Sequence, residues 1–162
     1  MKCGRARSRS ISNFRLGLEE ETGVYYVNRE QIERRLELVP ELLEALRESA
    51  QSASSLLGRY AEERALHLAI EIVTDVGSYL IDGFIMRDAS SYEDIVDILL
   101  DEKVVDASLH ATLIELVRLR KPLVQEYFAW DRQEVISLRE RLPGALQDFA
   151  TNVRKYLDQE GV

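Results

Sequence analysis

The clearest chemical potential in this chain lies in one eight-residue segment, Arg120-Lys121-Pro122-Leu123-Val124-Gln125-Glu126-Tyr127. The planar guanidinium group of Arg120 can hold a phosphate group through two parallel hydrogen bonds and balance the charge that develops on it. Gln125 can orient a hydroxyl group or bind a phosphate oxygen, but its amide does not titrate. The segment therefore predicts a phosphate-binding site that lacks a group for proton transfer.

A second group of polar residues recurs every three or four positions in an otherwise apolar stretch, so that its members share one face of a helix. Buried carboxylates are costly unless they are paired, and Arg120 or Arg118 is the expected partner of Glu71 and Asp75. Such pairs could have a structural role alone, by fixing the register of helices across a dimer. Alternatively, Glu71 could orient Arg120 for a phosphate. The members of this polar stripe are His67, Glu71, Asp75, Ser78 and Asp82.

His67 lies one helical turn from Glu71. A neighbouring carboxylate can satisfy this imidazole, or the imidazole can take part in catalysis. His110 lies ten residues before Arg120, roughly 15 Å along a helix, which is too far to share a phosphate. A metal bound by His67, Glu71 and Asp75 is conceivable from the ligand types, but we predict no metal site, because acidic stripes are usually plain polar faces.

Pro122 decides how the residues of the segment are arranged. A straight helix would place Arg120 and Tyr127 near one face and rotate Gln125 away from Arg120. Pro122 can either bend the helix or start a new segment, which would put Arg120 and Lys121 at a helix N-terminus where free amides attract anions. We expect a bend, because helix kinks usually occur at proline.

The hydrophobic periodicity predicts an all-α protein, an antiparallel up-and-down bundle of about five helices. Only eight glycines and three prolines in 162 residues also favour helices over strands. The second helix is apolar over most of its circumference, so it must be central in the bundle or pressed into a dimer interface. The first predicted helix begins at Asn28 and has a kink near Pro40, and the second runs from about Tyr60 to Phe84. The third begins at a Ser90/Glu93 capping box, the fourth carries Arg120, and the fifth begins at an Asp131/Glu134 capping box.

Composition indicates a cytoplasmic protein. The lone Cys3 cannot form an internal disulfide, and no apolar run approaches the roughly 20 residues that span a bilayer. The net charge of the whole chain is −8. The first 23 residues carry +2, so residues 24–162 carry −10. We predict that residues 1–23 are a disordered or non-native N-terminal extension; the alternative is a basic arm that grips RNA.

The eight-residue segment resembles the motif of HepT-like members of the HEPN superfamily. Many of them carry an arginine, an asparagine, a short apolar step, a histidine, one variable residue and a tyrosine. Lys121 stands where the asparagine is expected and Gln125 where the histidine is expected. Blocks 65–75, 82–88 and 91–95 are similar to the family's second helix and the connection after it, and residues 24–162 are identified as one HepT-like HEPN domain.

The resemblance implies a metal-independent endoribonuclease, the toxin of a type VII-like toxin–antitoxin module with a minimal nucleotidyltransferase as antitoxin. It also implies a homodimer whose cleft lies between two motif copies, and it makes Tyr127 the candidate acceptor of AMP from the antitoxin. The family uses no cofactor. The expected partners are therefore a second copy, RNA and a small nucleotidyltransferase, with no membrane and no DNA.

Because Gln125 replaces the catalytic histidine, we expect an attenuated or inactive ribonuclease with Arg120 as its phosphate anchor. A net charge of −10 gives no help to non-specific RNA binding, so an RNA site must be local. The alternative is a non-catalytic dimer that binds a nucleotide or a protein through the same cleft. The residues expected to support the site are His67, Glu71, Asp75 and Lys121.

Overall fold

The computed structural model describes residues 26–162, and this part of the chain contains helices and no strand. The prediction of an all-α bundle is confirmed. The predicted N-terminal extension lies outside the described residues. The helices are α1 (Arg29–Leu36), α2 (Val39–Gln51), α3 (Leu56–Gly83), α4 (Tyr92–Asp101), α5 (Ala107–Arg118), α6 (Arg120–Val124), a 3₁₀ helix (Arg132–Val135), α7 (Ile136–Arg139) and α8 (Leu142–Gln159).

The 28-residue helix α3 is the centre of the bundle, and α1, α2, α4, α5 and α6 all pack against it. Its side chains Ile70, Val73, Val76 and Leu80 are fully buried. Of the two predicted positions for this helix, the structure shows the central one. The apolar residues of α3 from Ala65 to Ile81 are therefore buried or half-buried within one chain, and this part of the helix does not by itself require a dimer partner.

The first predicted helix is interrupted rather than kinked. Glu37 and Leu38 form a turn between α1 and α2, and the amide of Leu38 donates to the carbonyl of Arg35 at 3.2 Å, one residue closer than in a regular α-helix. Pro40 lies in the first turn of α2, where the amide that proline lacks would have had no helical partner. Asn28 caps α1 as predicted, since its side chain accepts from the amide of Gln31 at 3.2 Å.

The last predicted helix is also discontinuous. Asp131 caps only the short 3₁₀ helix, through a bond from the amide of Gln133 at 2.9 Å. The chain then continues as α7 and starts again as α8, with Pro143 in the first turn. A two-pronged ion pair holds α7 against α3 at this break, because the Nε and Nη2 atoms of Arg139 donate to the two carboxylate oxygens of Glu62, at 2.6 and 2.9 Å.

The predicted cap of α4 is wrong by one residue. Ser91, not Ser90, caps the helix and accepts from the amide of Asp94 at 3.1 Å. Ser90 instead donates its amide and hydroxyl to the Asp94 carboxylate, at 2.8 and 2.9 Å. The physical reason is that Asp94, in the first turn, offers two oxygens to the chain before the helix, which moves the capping position forward by one.

Helix α3 ends in a turn that requires one residue in the left-handed backbone conformation. The amide of Met86 donates to the carbonyl of Ile81 at 2.9 Å, and Ile85 adopts the left-handed region with φ 52°. Glycine usually occupies this position, and a branched side chain there costs about 1–2 kcal/mol. The turn reverses the chain and brings α4 against α3.

The closest approach of α3 to α4 gives a stability prediction with a matched control. A Cβ atom added at Gly77 would overlap the Cγ2 atom of Ile95, whereas one added at Gly144 in α8 would meet nothing. Gly77→Ala is expected to lower the free energy of unfolding by about 1–3 kcal/mol, as overpacking does. Gly144→Ala is expected to raise it by about 0.5 kcal/mol, because alanine favours helix. Urea denaturation measures both; equal effects would contradict the packing described.

A candidate phosphate-binding site on the motif helix

The motif helix is broken three residues before its proline. Leu119, between α5 and α6, keeps helical angles (φ −67°, ψ −12°), but its amide donates to the carbonyl of Leu116 at 3.1 Å instead of one residue further back. Pro122 has no amide to give to the carbonyl of Arg118, so the helix loses one bond at this point. The chain continues as the separate helix α6, which begins at Arg120 and has Pro122 in its first turn. Of the two predicted arrangements, the structure therefore shows the new segment and not the bend that we expected.

Helix α6 ends at Val124, before the motif does. The amides of Gln125 and Glu126 both donate to the carbonyl of Lys121, at 2.8 and 3.2 Å, and the chain from Gln125 onward is a turn. The expectation that Arg120 and Tyr127 share one face of a straight helix is therefore wrong. The turn brings Gln125, rather than Tyr127, to the same cleft as Arg120.

An open cleft of about 470 Å³ lies between the motif helix and the start of α4. A larger groove of about 1220 Å³ lies between α2 and α8, but none of the predicted site residues lines it. The smaller cleft is therefore the candidate site. Its lining residues are Ser91, Tyr92, Glu93, Val117, Arg118, Arg120, Lys121 and Gln125.

Arg120 is held between an aromatic ring and a carboxylate. Its guanidinium carbon lies 4.0 Å from the ring centroid of Tyr92 on α4, and its Nε atom lies 3.7 Å from Oε1 of Glu71 on α3. The second distance is too long for a hydrogen bond, and this buried Nε has no hydrogen-bond partner among the described residues. The predicted pair of Arg120 with Glu71 is present, in a form that leaves the Nε donor of Arg120 without a hydrogen bond.

The other charged residues predicted near Arg120 form ion pairs with different partners from those expected. Asp75 binds Arg35 of α1 at 2.8 Å, not a motif arginine, because α1 lies over that turn of α3. Arg118 pairs with Glu93 at 3.3 Å, and Lys121 pairs with Glu126 at 2.9 Å, both on the surface. The expected pairing of Asp75 with Arg118 or Arg120 is therefore wrong, and the Lys121 cation already has a partner.

His67 lies beside Glu71 but not in the lining of the cleft. Its Nε2 atom is 3.4 Å from Oε1 of Glu71, and the guanidinium of Arg64 is 3.3 Å from its Nδ1 atom. Because Arg64 can only donate, Nδ1 is the acceptor in the neutral ring and Nε2 carries the proton. The two neighbours satisfy both ring nitrogens, which is the simpler of the two predicted roles. His110 is remote and binds Asp97 at 2.7 Å.

Tyr92 is the residue of this site that the sequence interpretation missed. Asp94, two positions later, anchors the start of α4, and its side chain binds Arg87 at 2.7 Å as well as Ser90. The bond from Arg87, followed by those from Ser90, holds the pKa of Asp94 well below its usual range, so the carboxylate stays charged in mild acid. No local sequence pattern marks Tyr92, because its contact with Arg120 depends on the packing of α4 against α3 and α5.

Tyr127 lies outside the cleft and is 68% exposed. Its ring meets that of Phe128 edge to face, with centroids 5.7 Å apart, on the turn between α6 and the 3₁₀ helix. The hydroxyl is thus accessible from solvent. Within residues 26–162, no cluster of three or more potential metal ligands is found, and no helix is long and apolar enough to cross a membrane.

Comparison with known proteins identifies this architecture. The protein named "Putative RNase YutE" from Bacillus subtilis (strain 168) is 44% identical over 137 residues, which cover 85% of this chain and 94% of the relative. The structure of YutE, described as a cytosolic protein of unknown function, superposes with a TM-score of 0.74 at 40% identity and covers 84% of this chain and 94% of that chain.

Two more distant structures have the same fold. A tri-AMPylated Shewanella oneidensis HEPN toxin in complex with an MNT antitoxin matches with a TM-score of 0.69 at 13% identity, covering 76% of this chain and 96% of the other. A mutant of the toxin–antitoxin pair MntA–HpeT gives 0.68 at 13%, covering 78% and 98%. The family model described as ribonuclease HepT-like matches residues 27–153. This chain therefore belongs to the ribonuclease HepT-like family.

Proposed function

We propose that this protein is a cytoplasmic HepT-like HEPN protein whose cleft binds RNA phosphate at Arg120 and cleaves RNA weakly or not at all. The activity concerned is metal-independent endoribonuclease action, as the toxin of a module with a minimal nucleotidyltransferase antitoxin. The observation that carries the proposal is that Arg120 and Gln125 line one cleft. Arg120 supplies the phosphate anchor there, and Gln125 occupies the place from which a histidine would transfer protons.

The electrostatics of the cleft support binding of one phosphodiester rather than a long duplex. Arg118 and Lys121 are each paired with a surface carboxylate, whereas the Nε donor of Arg120 has no hydrogen-bond partner among the described residues. The paired side chains can still exchange partners, because exposed ion pairs contribute little. Binding at this cleft therefore depends on Arg120 more than on the net charge of the protein.

Restoring the missing histidine tests the proposal. In RNA cleavage assays with a chelator, Gln125→His is expected to raise the rate at least about tenfold, because general acid–base catalysis commonly contributes two to four orders of magnitude. The gain is smaller than the full contribution since Lys121 and Pro122 also differ from the family motif. Adding Arg120→Ala to Gln125→His should abolish the gain.

Gln133→His is the matched control, because Gln133 is exposed on the 3₁₀ helix and does not line the cleft. It should cleave no faster than the parent. A Gln125→His variant that is equally inert would favour the alternative, a non-catalytic module that binds a nucleotide or a protein. A parent chain that already cuts RNA efficiently, and loses this activity with Arg120→Ala, would show that Gln125 does not impair the site.

Tyr127 is proposed as the acceptor of AMP from the antitoxin. Its exposure on the turn after α6 gives an enzyme direct access to the hydroxyl, and the similar Shewanella oneidensis toxin is itself AMPylated. An adjacent gene for a small nucleotidyltransferase would identify the partner. That enzyme and ATP should add AMP to the parent chain, as seen by mass spectrometry, and Tyr127→Phe should remove the modification. Tyr60→Phe, at a residue that is 58% exposed, should leave it unchanged; the opposite pattern would refute Tyr127 as acceptor.

A symmetric homodimer is proposed, with Arg120, Tyr127 and the polar stripe of α3 near the two-fold axis. The support is the unusual exposure of two adjacent aromatic rings beside the cleft, Tyr127 at 68% and Phe128 at 79%. Sedimentation at micromolar concentration should show a dimer, and Phe128→Glu should shift it to monomer. Tyr26→Glu, an equally exposed ring near the other end of α3, should not. A parent chain that is only monomeric would contradict the dimer.

A further inference from the structure

We propose that Tyr92 is a positioning residue for Arg120, which sets the plane of the guanidinium group so that its terminal nitrogens face the phosphodiester in the cleft. The inference rests on the proposed function, since it concerns the same cleft. Tyr92 is not part of the family motif, because it lies on α4, 28 positions before Arg120. Its role follows from the contact between two helices.

The first step is that no hydrogen bond fixes the Nε atom of Arg120. This atom is buried, has no hydrogen-bond partner among the described residues and lies 3.7 Å from Oε1 of Glu71. A long side chain with many rotamers loses its preferred direction unless something fixes it, which costs binding energy when a ligand arrives. The fixed elements around Arg120 are the carboxylate of Glu71 on one side and the ring of Tyr92 on the other.

The second step is a comparison with a related contact in the same bundle. Arg35 also lies over an aromatic ring, that of Tyr79, with 4.7 Å from its guanidinium carbon to the centroid, but it binds Asp75 directly at 2.8 Å. Arg120 is nearer to its ring, at 4.0 Å, and farther from its carboxylate, at 3.7 Å. The carboxylate of Asp75 takes up the Nε donor of Arg35, whereas the ring of Tyr92 supports Arg120 and leaves its Nε donor without a hydrogen bond.

The third step is that Tyr92 is itself well placed. It is the first residue of α4, next to the Ser91 cap, and the bonds of Asp94 to Ser90 and Arg87 hold this end of the helix. The Tyr92 side chain is 45% exposed and lines the cleft, so it forms part of the wall that a substrate meets. A stacked arginine presents its nitrogen edge sideways, in the plane that a phosphate recognises with two bonds.

The experiment uses the full chain in the Gln125→His background. Tyr92→Leu keeps the bulk but removes the ring, and it should raise KM for an RNA substrate by roughly two- to thirtyfold, the range of a cation–π contact. Tyr92→Phe keeps the ring and should recover most of that loss. Tyr79→Leu removes the ring under Arg35, outside the cleft, and should leave KM unchanged. Partial unfolding would lower kcat without raising KM, so the two effects are separable.

A structural readout accompanies the kinetics. The ring current of Tyr92 should displace the side-chain proton signals of Arg120 in the NMR spectrum, and this displacement should persist in Tyr92→Phe and vanish in Tyr92→Leu. The inference is overturned if Tyr92→Leu leaves KM unchanged, or if Tyr92→Phe fails as badly as Tyr92→Leu, which would assign the role to the hydroxyl. If Gln125→His cleaves no RNA at all, the proposed function fails and the inference fails with it, even where the NMR contact is present.

Discussion

The burial of α3 is the constraint on which the rest of this structure depends. Because most of its circumference is apolar, other helices must cover it on several sides. The polar stripe stays partly exposed, as does the start of the helix at Leu56, Leu57 and Tyr60. The carboxylates on that stripe then attract cations from whichever helix lies above them. Asp75 lies under α1 and receives Arg35, while Glu71 lies under α6 and receives Arg120. The place of the motif arginine is thus decided by helix packing.

The two pairs differ in how completely each arginine is used. Arg35 is bound directly and stabilises the packing of α1 on α3, whereas Arg120 is placed near Glu71 without being bonded to it. An arginine that is fully bonded within the protein must give up those bonds to hold a ligand. The looser contact therefore keeps a cation in a defined position at little cost to ligand binding. Under the proposed function, Arg120 is the anion-binding group of the cleft, while Gln125 offers no titratable group.

The sequence predicted those features that depend on residues close together along the chain. The periodicity of α3, the Asn28 cap and the approach of Arg120 to Glu71 all follow from spacing and side-chain chemistry. Features set by competition among backbone hydrogen bonds were not predictable in this way, such as the end of α6 at Val124 that turns Gln125 into the cleft. The contact of Tyr92 with Arg120 requires the packing of α4, which no local pattern specifies.

The pair of Glu62 with Arg139 and the surface pairs at the cleft differ in their expected response to ionic strength. Glu62 is only 6% exposed, so dissolved ions screen this contact weakly, and the junction of α3 with α7 should persist in concentrated salt. The pairs of Arg118 with Glu93 and Lys121 with Glu126 lie on the surface and are screened readily. Salt is thus expected to weaken the pairs at the rim of the cleft more than the contact between α3 and α7.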